Sequence, residues 1–274
     1  MAPGRRRLDA ELVRRKLARS REQAQSWIKE GRVEVGGFAA TKPATVVEPE
    51  VSIKVNIDTA DDWASRGAHK LLGALEYFEA RGLGVDKRRA LDAGASTGGF
   101  TDVLLSKGAK EVVAVDVGYG QLVWRLQNDP RVRVLDRTNI RNLTREMMGG
   151  TADLMVGDLS FISLELVLPA ITECMADGAD LLPMVKPQFE VGKDRLGSGG
   201  VVRSPELRAE VTSRVAQFAQ SLGLSTRGVV ASPLPGPSGN VEYFLWLVKD
   251  AGATKLDDDS LTAMVARAVE EGPE

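Results

Sequence analysis

The 274-residue sequence contains only one cysteine, Cys174, and one histidine, His69. A single cysteine cannot form an intrachain disulfide and makes a cysteine-based metal site unfavourable. With one cysteine and one histidine, the sequence argues against a structural zinc site, and against a Ser-His-Asp triad unless His69 serves in one. We therefore expect no metal, and a protein of the reducing cytoplasm.

Long apolar runs are also missing, since no run approaches the roughly 20 residues that cross a bilayer. The first residues, Met-Ala-Pro-Gly-Arg-Arg-Arg, are not followed by an apolar segment, so they do not read as a secretory signal. Apolar residues make up 43% and charged residues 27%, the balance of an ordinary soluble globular protein. We expect no membrane span.

Charge is distributed unevenly although the net charge is only -2. Residues 1–30 hold nine Lys/Arg and four Asp/Glu, a net of +5, which leaves -7 for the remainder. A basic segment on an acidic body indicates a polyanionic partner near the N-terminus. A merely solvated helix face would give the same charge pattern.

Residues 1–57 have the pattern of a small α+β domain. Leu8, Leu12, Val13 and Leu17 predict a helix over 8–17, and Ser20 with Gln23 forms a capping-box start for a second helix. A strand over 32–35, a Gly-Gly turn and an alternating strand over 51–57 follow. Residues 58–64, Asp-Thr-Ala-Asp-Asp-Trp-Ala, read as a linker.

Residues 65–274 alternate amphipathic helices with apolar strands, which is typical of a covered, mostly parallel sheet. We predict a Rossmann-like α/β domain, doubly wound around seven strands. The predicted strands are Ala90–Ala93, Val112–Asp116, Val132–Leu135, Asp153–Asp158, Asp180–Val185, Ser225–Ala231 and Tyr243–Val248.

The first predicted strand of this domain runs into a glycine-rich turn, Asp92-Ala-Gly-Ala-Ser-Thr-Gly-Gly-Phe-Thr. Glycines let a ligand approach the backbone, and a following helix supplies free N–H groups. Such a loop alone fits dinucleotides and S-adenosylmethionine equally. Asp92 would repel a pyrophosphate but suits a positive amino group, so it favours S-adenosylmethionine.

Acidic residues after the next two strands extend this prediction. Asp116 ends the second strand, where a carboxylate commonly accepts hydrogen bonds from ribose hydroxyls, and 136–139 follow the third strand, where an adenine usually lies. A strand-end turn is the structural alternative for Asp116. The predicted cofactor-binding residues are Asp92, Gly94, Ser96, Thr97, Gly98, Gly99, Phe100, Asp116, Asp136, Arg137 and Asp158.

Four charged residues are the catalytic candidates: Lys70, Asp158, Lys186 and Glu242. Asp158 and Lys186 end predicted strands, and ligands of open α/β sheets sit outside the carboxyl ends of the strands. A lysine at the end of an apolar strand is costly unless it is paired or functional. Each of the four could be a structural ion pair, but together with the glycine loop they favour catalysis.

Two resemblances cover nearly the whole chain. Residues 18–24 and 31–37 resemble the S-four-type RNA-binding domain of ribosomal proteins, pseudouridine synthases and tyrosyl-tRNA synthetases. The order Lys–Asp–Lys–Glu, with the phrases around 65–71, 92–101, 158–163, 185–190 and 238–243, resembles the FtsJ type of ribose methyltransferase. Among these it is most similar to the TlyA (haemolysin A) family of ribosomal RNA 2′-O-methyltransferases.

The resemblance implies S-adenosylmethionine-dependent methylation of cytidine ribose in ribosomal RNA. The implied partners are ribosomal subunits, the large one and for the longer members also the small one, with capreomycin sensitivity linked to activity. By this match, the RNA-facing residues are Arg14, Arg15, Arg19 and Arg21. Lys186 is the expected base or orienter of the ribose hydroxyl, with Asp158 and Glu242 holding the lysines.

Three other functions stay open at this point. An assembly factor would keep RNA binding and lack methyl transfer. A haemolysin is suggested by the older family name, although no insertion segment is present in the sequence. A dinucleotide oxidoreductase is disfavoured by Asp92. Detection of bound nicotinamide by its absorbance would favour that function again.

Overall fold

The protein is represented by a computed structural model that describes residues 4–18, 20–29, 31–55, 63–250, 252 and 256–273. The chain divides into two compact units, residues 1–62 and 63–274. Most of the predicted linker, 58–64, lies outside the described residues; only Trp63 and Ala64 are described. The predicted domain limits therefore stay predictions.

The N-terminal unit is small and mixes short helices with short strands. Its elements are β1 (Arg6–Arg7), α1 (Leu8–Arg14), α2 (Arg21–Lys29), β2 (Val33–Val35), β3 (Phe38–Ala39), β4 (Val46–Val47) and β5 (Ile53–Val55). β2 pairs antiparallel with both β3 and β5, and β1 pairs antiparallel with β4. A core of buried apolar side chains joins helices and strands: Leu8, Leu12, Ala18, Ala24, Trp27, Ile28, Val33, Ala40 and Val47.

The predicted first helix ends three residues early. It stops at Arg14 rather than at residue 17, because Lys16 has a φ of 58°, which lies in the left-handed region and breaks the helical hydrogen bonding. The backbone N–H groups of Leu17 and Ala18 both donate to the carbonyl of Leu12 instead. The apolar periodicity continues past the true helix end because Leu17 still packs against this core.

The second unit contains seven strands and the longer helices. Its elements are α3 (Gly67–Glu79), β6 (Arg89–Ala93), α4 (Gly99–Ser106), β7 (Glu111–Val115), α5 (Trp124–Gln127), β8 (Val132–Leu135), α6 (Arg145–Met148), β9 (Ala152–Gly157), α7 (Leu168–Cys174), β10 (Met175–Val185), α8 (Pro187–Glu190), α9 (Pro205–Ser221), β11 (Leu224–Ala231), β12 (Tyr243–Lys249) and α10 (Asp258–Glu270). All seven predicted strands are confirmed.

The strands form one sheet in the order β11-β12-β10-β9-β6-β7-β8. The five strands from β10 to β8 run parallel to their neighbours, whereas β12 is antiparallel to both β10 and β11. Apolar side chains cover both faces: α3 and α4 pack with one cluster, and α7, α9 and α10 with the other. This is the predicted doubly wound α/β fold.

Because β6, β7, β9 and β10 are parallel, their carboxyl ends meet at one edge of the sheet. The loops that leave this edge begin after Ala93, Val115, Gly157 and Val185. The glycine loop, Asp116, Asp158 and Lys186 follow these four strands directly. The fold thus gathers residues that are far apart in the sequence.

Candidate active site

The glycine loop between β6 and α4 comes very close to the loop after β9. Gly94 has a φ of 86°, and a Cβ on it would lie 2.8 Å from the backbone oxygen of Asp158. The N–H of Asp158 donates to the carbonyl of Ala93 at 3.1 Å. Gly98, with a φ of 102°, is the N-cap of α4 and would clash with Leu126 if it carried a Cβ. Both positions therefore require glycine.

A cavity of about 460 Å³ opens at this loop. Its volume is within the usual range for small-molecule sites, roughly 300–1,000 Å³. Seven of the predicted site residues line it: Lys70, Gly94, Ser96, Thr97, Gly99, Phe100 and Asp158. The cavity lining does not include Asp92, Gly98, Asp116, Asp136, Arg137, Lys186 and Glu242.

Asp92 lies beneath the loop and is fully buried. The Thr101 hydroxyl donates to its Oδ2 at 2.7 Å, whereas its Oδ1 has no hydrogen-bond partner among the described residues. Burial raises the pKa of Asp92 to about 7, and the hydrogen bonds from Thr101 oppose that rise. A buried carboxylate oxygen without a donor is unfavourable by itself and suits a cationic ligand.

Asp116 and Asp136 shape the loops beside the cavity through backbone hydrogen bonds. The N–H groups of Ser96 and Gly118 donate to the two carboxylate oxygens of Asp116 at 2.8 and 2.7 Å. The N–H of Gly120 donates to Asp136 at 2.9 Å. The Arg137 guanidinium stacks over the Tyr119 ring at 4.2 Å. Asp116, Asp136 and Arg137 thus each make a contact within these loops that the sequence did not predict.

Lys186 and Asp158 form the first of two lysine–carboxylate pairs. The distance from Lys186 Nζ to Asp158 Oδ1 is 2.5 Å, and Lys186 also donates to the Ser160 hydroxyl at 2.7 Å. Lys186 is buried at the N-cap of α8, directly after β10, while Asp158 follows β9. Neighbouring parallel strands thus bring together two residues 28 positions apart.

Lys70 and Glu242 form the second pair. Lys70, in the first turn of α3, lies 2.6 Å from Glu242 Oε2, and both side chains are buried. Glu242 Oε1 has no hydrogen-bond partner among the described residues. A Cβ on Gly236, which lines the cavity, would lie 2.6 Å from that oxygen. The second pair therefore borders the same cavity as the first.

Replacing Lys70 by alanine should destabilise the protein strongly. Breaking a buried ion pair leaves an uncompensated charge, here on Glu242, and costs about 3–5 kcal/mol. Lys87→Ala is the matched control, because Lys87 and Asp86 form an exposed pair at 3.7 Å that contributes at most about 1 kcal/mol. Urea unfolding of both variants measures the difference, and equal losses would contradict a structural role for the buried pair.

An aromatic pair lies beside Lys186. Phe161 is 90% exposed with a φ of 64°, and its ring centroid is 5.1 Å from that of the half-buried Phe189. Lys186 Nζ lies 6.0 Å from the Phe189 ring centroid. The sequence left Phe189 open between base stacking and core packing; the structure places it against an exposed ring rather than inside the core.

The predicted RNA-facing arginines differ in how they are held. Arg14 forms two hydrogen bonds with buried Glu11, and Arg21 contacts buried Asp9 at 3.1 Å. Arg15 donates to Glu11 and to the carbonyls of Pro49 and Val51, so its guanidinium ties α1 to the turn before β5. Arg19 lies outside the described residues.

Two cavity-lining segments were missed by sequence reasoning: residues 65–67 and 234–237. The first precedes α3, and a Cβ on Gly99 would lie 2.2 Å from the Ser65 hydroxyl, so this segment packs directly against the glycine loop. The second is the loop Leu-Pro-Gly-Pro between β11 and β12. Its proline and glycine content, at the edge where β11 ends, was the signal that could have indicated it.

The described part of the chain contains neither a cluster of metal-binding side chains nor a membrane-spanning helix. No group of three or more His, Cys, Asp or Glu side chains there could hold a metal ion. No helix there is both long enough and apolar enough to cross a membrane.

The comparison with protein families agrees with the fold. Residues 63–249 match the family described as FtsJ-like methyltransferase, and residues 6–53 match the S4 domain. The second unit is thus a methyltransferase of the FtsJ-like class, and the protein is an enzyme. Both resemblances inferred from the sequence are confirmed at this level.

Similar proteins cover nearly the whole chain. The 16S/23S rRNA (cytidine-2′-O)-methyltransferase TlyA of Mycobacterium tuberculosis is 58% identical over 97% of this chain and 98% of its own. The 23S rRNA (cytidine-2′-O)-methyltransferase TlyA of Campylobacter jejuni is 31% identical over 69% of this chain and 72% of its own. A solved structure from Streptococcus thermophilus, named as a haemolysin, is 37% identical with a TM-score of 0.74, covering 97% and 96%. This chain therefore belongs to the TlyA family.

Proposed function

We propose that this protein transfers a methyl group from S-adenosylmethionine to the 2′-hydroxyl of cytidine in ribosomal RNA. The observation that carries the proposal is that two buried lysines are paired with carboxylates at the glycine-loop cavity, Lys186 with Asp158 and Lys70 with Glu242. The names of the relatives in Mycobacterium tuberculosis and Campylobacter jejuni support the same reaction.

The cavity and the residues beneath and beside its glycine loop fit S-adenosylmethionine. The partnerless Asp92 oxygen beneath the loop suits the cationic methionine end, and Gly94 and Gly99 line the cavity with backbone that a ligand can approach closely. Ser96, Thr97 and Phe100 would complete the contacts, with Asp116 accepting from the ribose and Asp136 and Arg137 near the adenine. When bound, the cofactor supplies an electrophilic methyl group on its sulfonium.

Lys186 orients the ribose hydroxyl in this proposal. An ammonium group has three hydrogens to donate, and Asp158 and Ser160 accept two of them. The third is free to meet the hydroxyl oxygen, where it stabilises the negative charge that develops as the hydroxyl proton passes to solvent water. A neutral Lys186 amine would instead take that proton as a general base. Both roles require Nζ to be held where Asp158 and Ser160 hold it.

The second pair fixes another part of the cavity lining. Lys70 lines the cavity and is anchored by buried Glu242, so its ammonium has a defined position without a substrate. A preformed arrangement removes the need to order these side chains during the reaction, so positioning contributes much of the rate gain. Phe161 and Phe189 supply an exposed aromatic surface on which a base could stack.

Cofactor affinity should depend on the protonation of Asp92. Its pKa is raised to about 7 by burial, so the carboxyl is largely neutral below that pH and ionised above it. A cationic ligand binds the ionised form more tightly, so affinity should rise as pH increases from 5.5 to 7, by up to about tenfold per pH unit for one linked proton. Calorimetric titration with S-adenosylmethionine measures this.

Asp92→Asn is the control for that titration, because the amide carries no charge at any of these pH values. We expect weaker binding and no rise in affinity between pH 5.5 and 7. An unchanged rise in the asparagine variant would assign the titration to another group and contradict the contact between Asp92 and the cofactor.

The N-terminal unit would bind the RNA backbone through Arg14, Arg15, Arg19 and Arg21. Such phosphate contacts give affinity and orientation with little sequence information. We further propose that the unit limits are 1–57 and 65–274, that both ribosomal subunits are substrates, and that the enzyme works in the cytoplasm, where ribosomes are its partners. Loss of the activity would then lower sensitivity to capreomycin-type antibiotics.

Transfer of a labelled methyl group to purified ribosomal subunits tests this function. We expect label in the large subunit and in the small subunit, and we expect the labelled linkage to resist alkali because a methylated 2′-oxygen cannot attack the neighbouring phosphate. Label in neither subunit, together with retained binding to them, would favour the assembly factor that lacks methyl transfer.

A further inference from the structure

Two catalytic segments meet at the carboxyl edge of the sheet. One is the loop 158–166 after β9, which carries Asp158, Ser160 and Phe161; the other is 186–190 after β10, which carries Lys186 and Phe189. The relative position of the two segments sets the distance from Lys186 to Asp158 and Ser160. A residue that fixes this relation controls the geometry of the reaction without touching the substrate.

Glu190 has the contacts for that task. It ends α8, four residues after Lys186, and it is buried. The Ser163 hydroxyl donates to its Oε2 at 2.6 Å, and the Leu164 backbone N–H donates to its Oε1 at 2.8 Å. Both carboxylate oxygens of a residue in one segment thus accept hydrogen bonds from the other segment.

Arg214 of α9 reinforces the same junction from outside. Its Nε donates to Glu165 at 2.9 Å, and its Nη2 donates to the backbone carbonyl of Glu190 and lies 4.0 Å from the Glu190 carboxylate. Burial raises the pKa of Glu190, while Ser163 and Leu164 hydrogen bonds favour its ionised form. The Glu190 carboxylate is thus buried at the junction between the two segments, where these hydrogen bonds offset the unfavourable burial of its charge.

We infer that Glu190 is a positioning residue for the methyl transfer, and that it acts by clamping the loop 158–166 against Lys186. The inference rests on the proposed function for its effect on rate, but the clamp itself is a property of the protein alone. Removing the clamp should let Asp158 and Ser160 move away from Lys186 Nζ. A misplacement of about 1 Å at a reacting group can lower a rate about 100-fold.

The test compares Glu190→Ala, Glu190→Gln and the exposed control Glu173→Ala in single-turnover methyl transfer to ribosomal RNA. We expect Glu190→Ala to lose about 100-fold in the single-turnover rate measured at saturating S-adenosylmethionine. Glu190→Gln keeps a carbonyl oxygen for the Leu164 N–H, so its rate should be at least about tenfold higher than that of Glu190→Ala. Wild-type rates in both Glu190 variants, whether or not their melting temperatures fall, would overturn the inference.

Amide hydrogen exchange of the apo protein tests the clamp without any activity. We expect peptides covering 158–166 to exchange at least about tenfold faster in Glu190→Ala than in the wild type, with no such change in Glu173→Ala. Unchanged exchange would refute the clamp even if the wild type methylated RNA. An inactive wild type with faster exchange in Glu190→Ala would instead retain the clamp and count against the proposed function.

Discussion

Lys186→Ala is expected to lower the single-turnover rate of methyl transfer by about 10²–10⁴-fold, the usual contribution of a positioned proton-transfer or charge-stabilising group. The Lys186 ammonium is held between Asp158 and Ser160, which leaves its third hydrogen to meet the ribose oxygen. Because Lys186 does not line the cavity, affinity for S-adenosylmethionine should change by less than about threefold.

Two controls accompany this measurement. Lys107→Ala removes a half-exposed lysine that pairs with Glu79 at 2.9 Å on the far end of α4, and it should leave the rate unchanged. Lys186→Arg keeps the charge but replaces a compact ammonium with a larger, planar guanidinium, so its rate of methyl transfer should stay far below that of the wild type. A Lys186→Ala enzyme within about threefold of the wild-type rate would remove Lys186 from the mechanism.

Gly94→Ala is expected to weaken cofactor binding by about 10–100-fold, because two separate penalties act at this position. A side chain at a φ of 86° costs about 1–3 kcal/mol of backbone strain, which the free loop relieves by leaving the conformation that binds the cofactor. The new Cβ would also lie 2.8 Å from the Asp158 carbonyl oxygen, so the glycine loop and the loop after β9 must separate. Calorimetric titration with S-adenosylmethionine measures the loss.

Gly84→Ala is the matched control for that titration. A Cβ on Gly84 would meet no atom within 4 Å, and its φ is not positive. The control should bind the cofactor with wild-type affinity and be at least as stable, since alanine restricts the unfolded chain more than glycine does. Equal affinities for both variants would contradict the placement of the cofactor at the glycine loop.

Local patterns were sufficient to predict the sheet, because buried parallel strands have apolar residues on both faces. Val112 and Val113, for example, point into different apolar clusters. The run therefore lacks the alternation of apolar and polar residues that marks a strand with one solvent-facing side. The start of β10 was missed, because Asp177 and Gly178 interrupt its apolar character where its pairing with β9 is irregular. The two-residue strands β1, β3 and β4 have no pattern long enough to detect.

The charged residues of the site were predictable because parallel strands place their carboxyl ends together. Asp158 and Lys186 could thus be expected at one edge, and the structure pairs them. Contacts between distant segments were not predictable from either segment alone. Ser65 packs on Gly99, and Arg15 donates to carbonyls more than thirty residues away, which only the tertiary structure reveals.

The most direct test of the proposed reaction is the chemical identity of the methylated nucleoside. Ribosomal RNA incubated with the enzyme and S-adenosylmethionine would be digested to nucleosides and separated by chromatography with mass detection. The proposed reaction predicts 2′-O-methylcytidine, and the position of Lys186 beside Asp158 predicts that Lys186→Ala forms much less of it. Cytidine methylated on its base, or product formed equally well by Lys186→Ala, would contradict the proposed reaction.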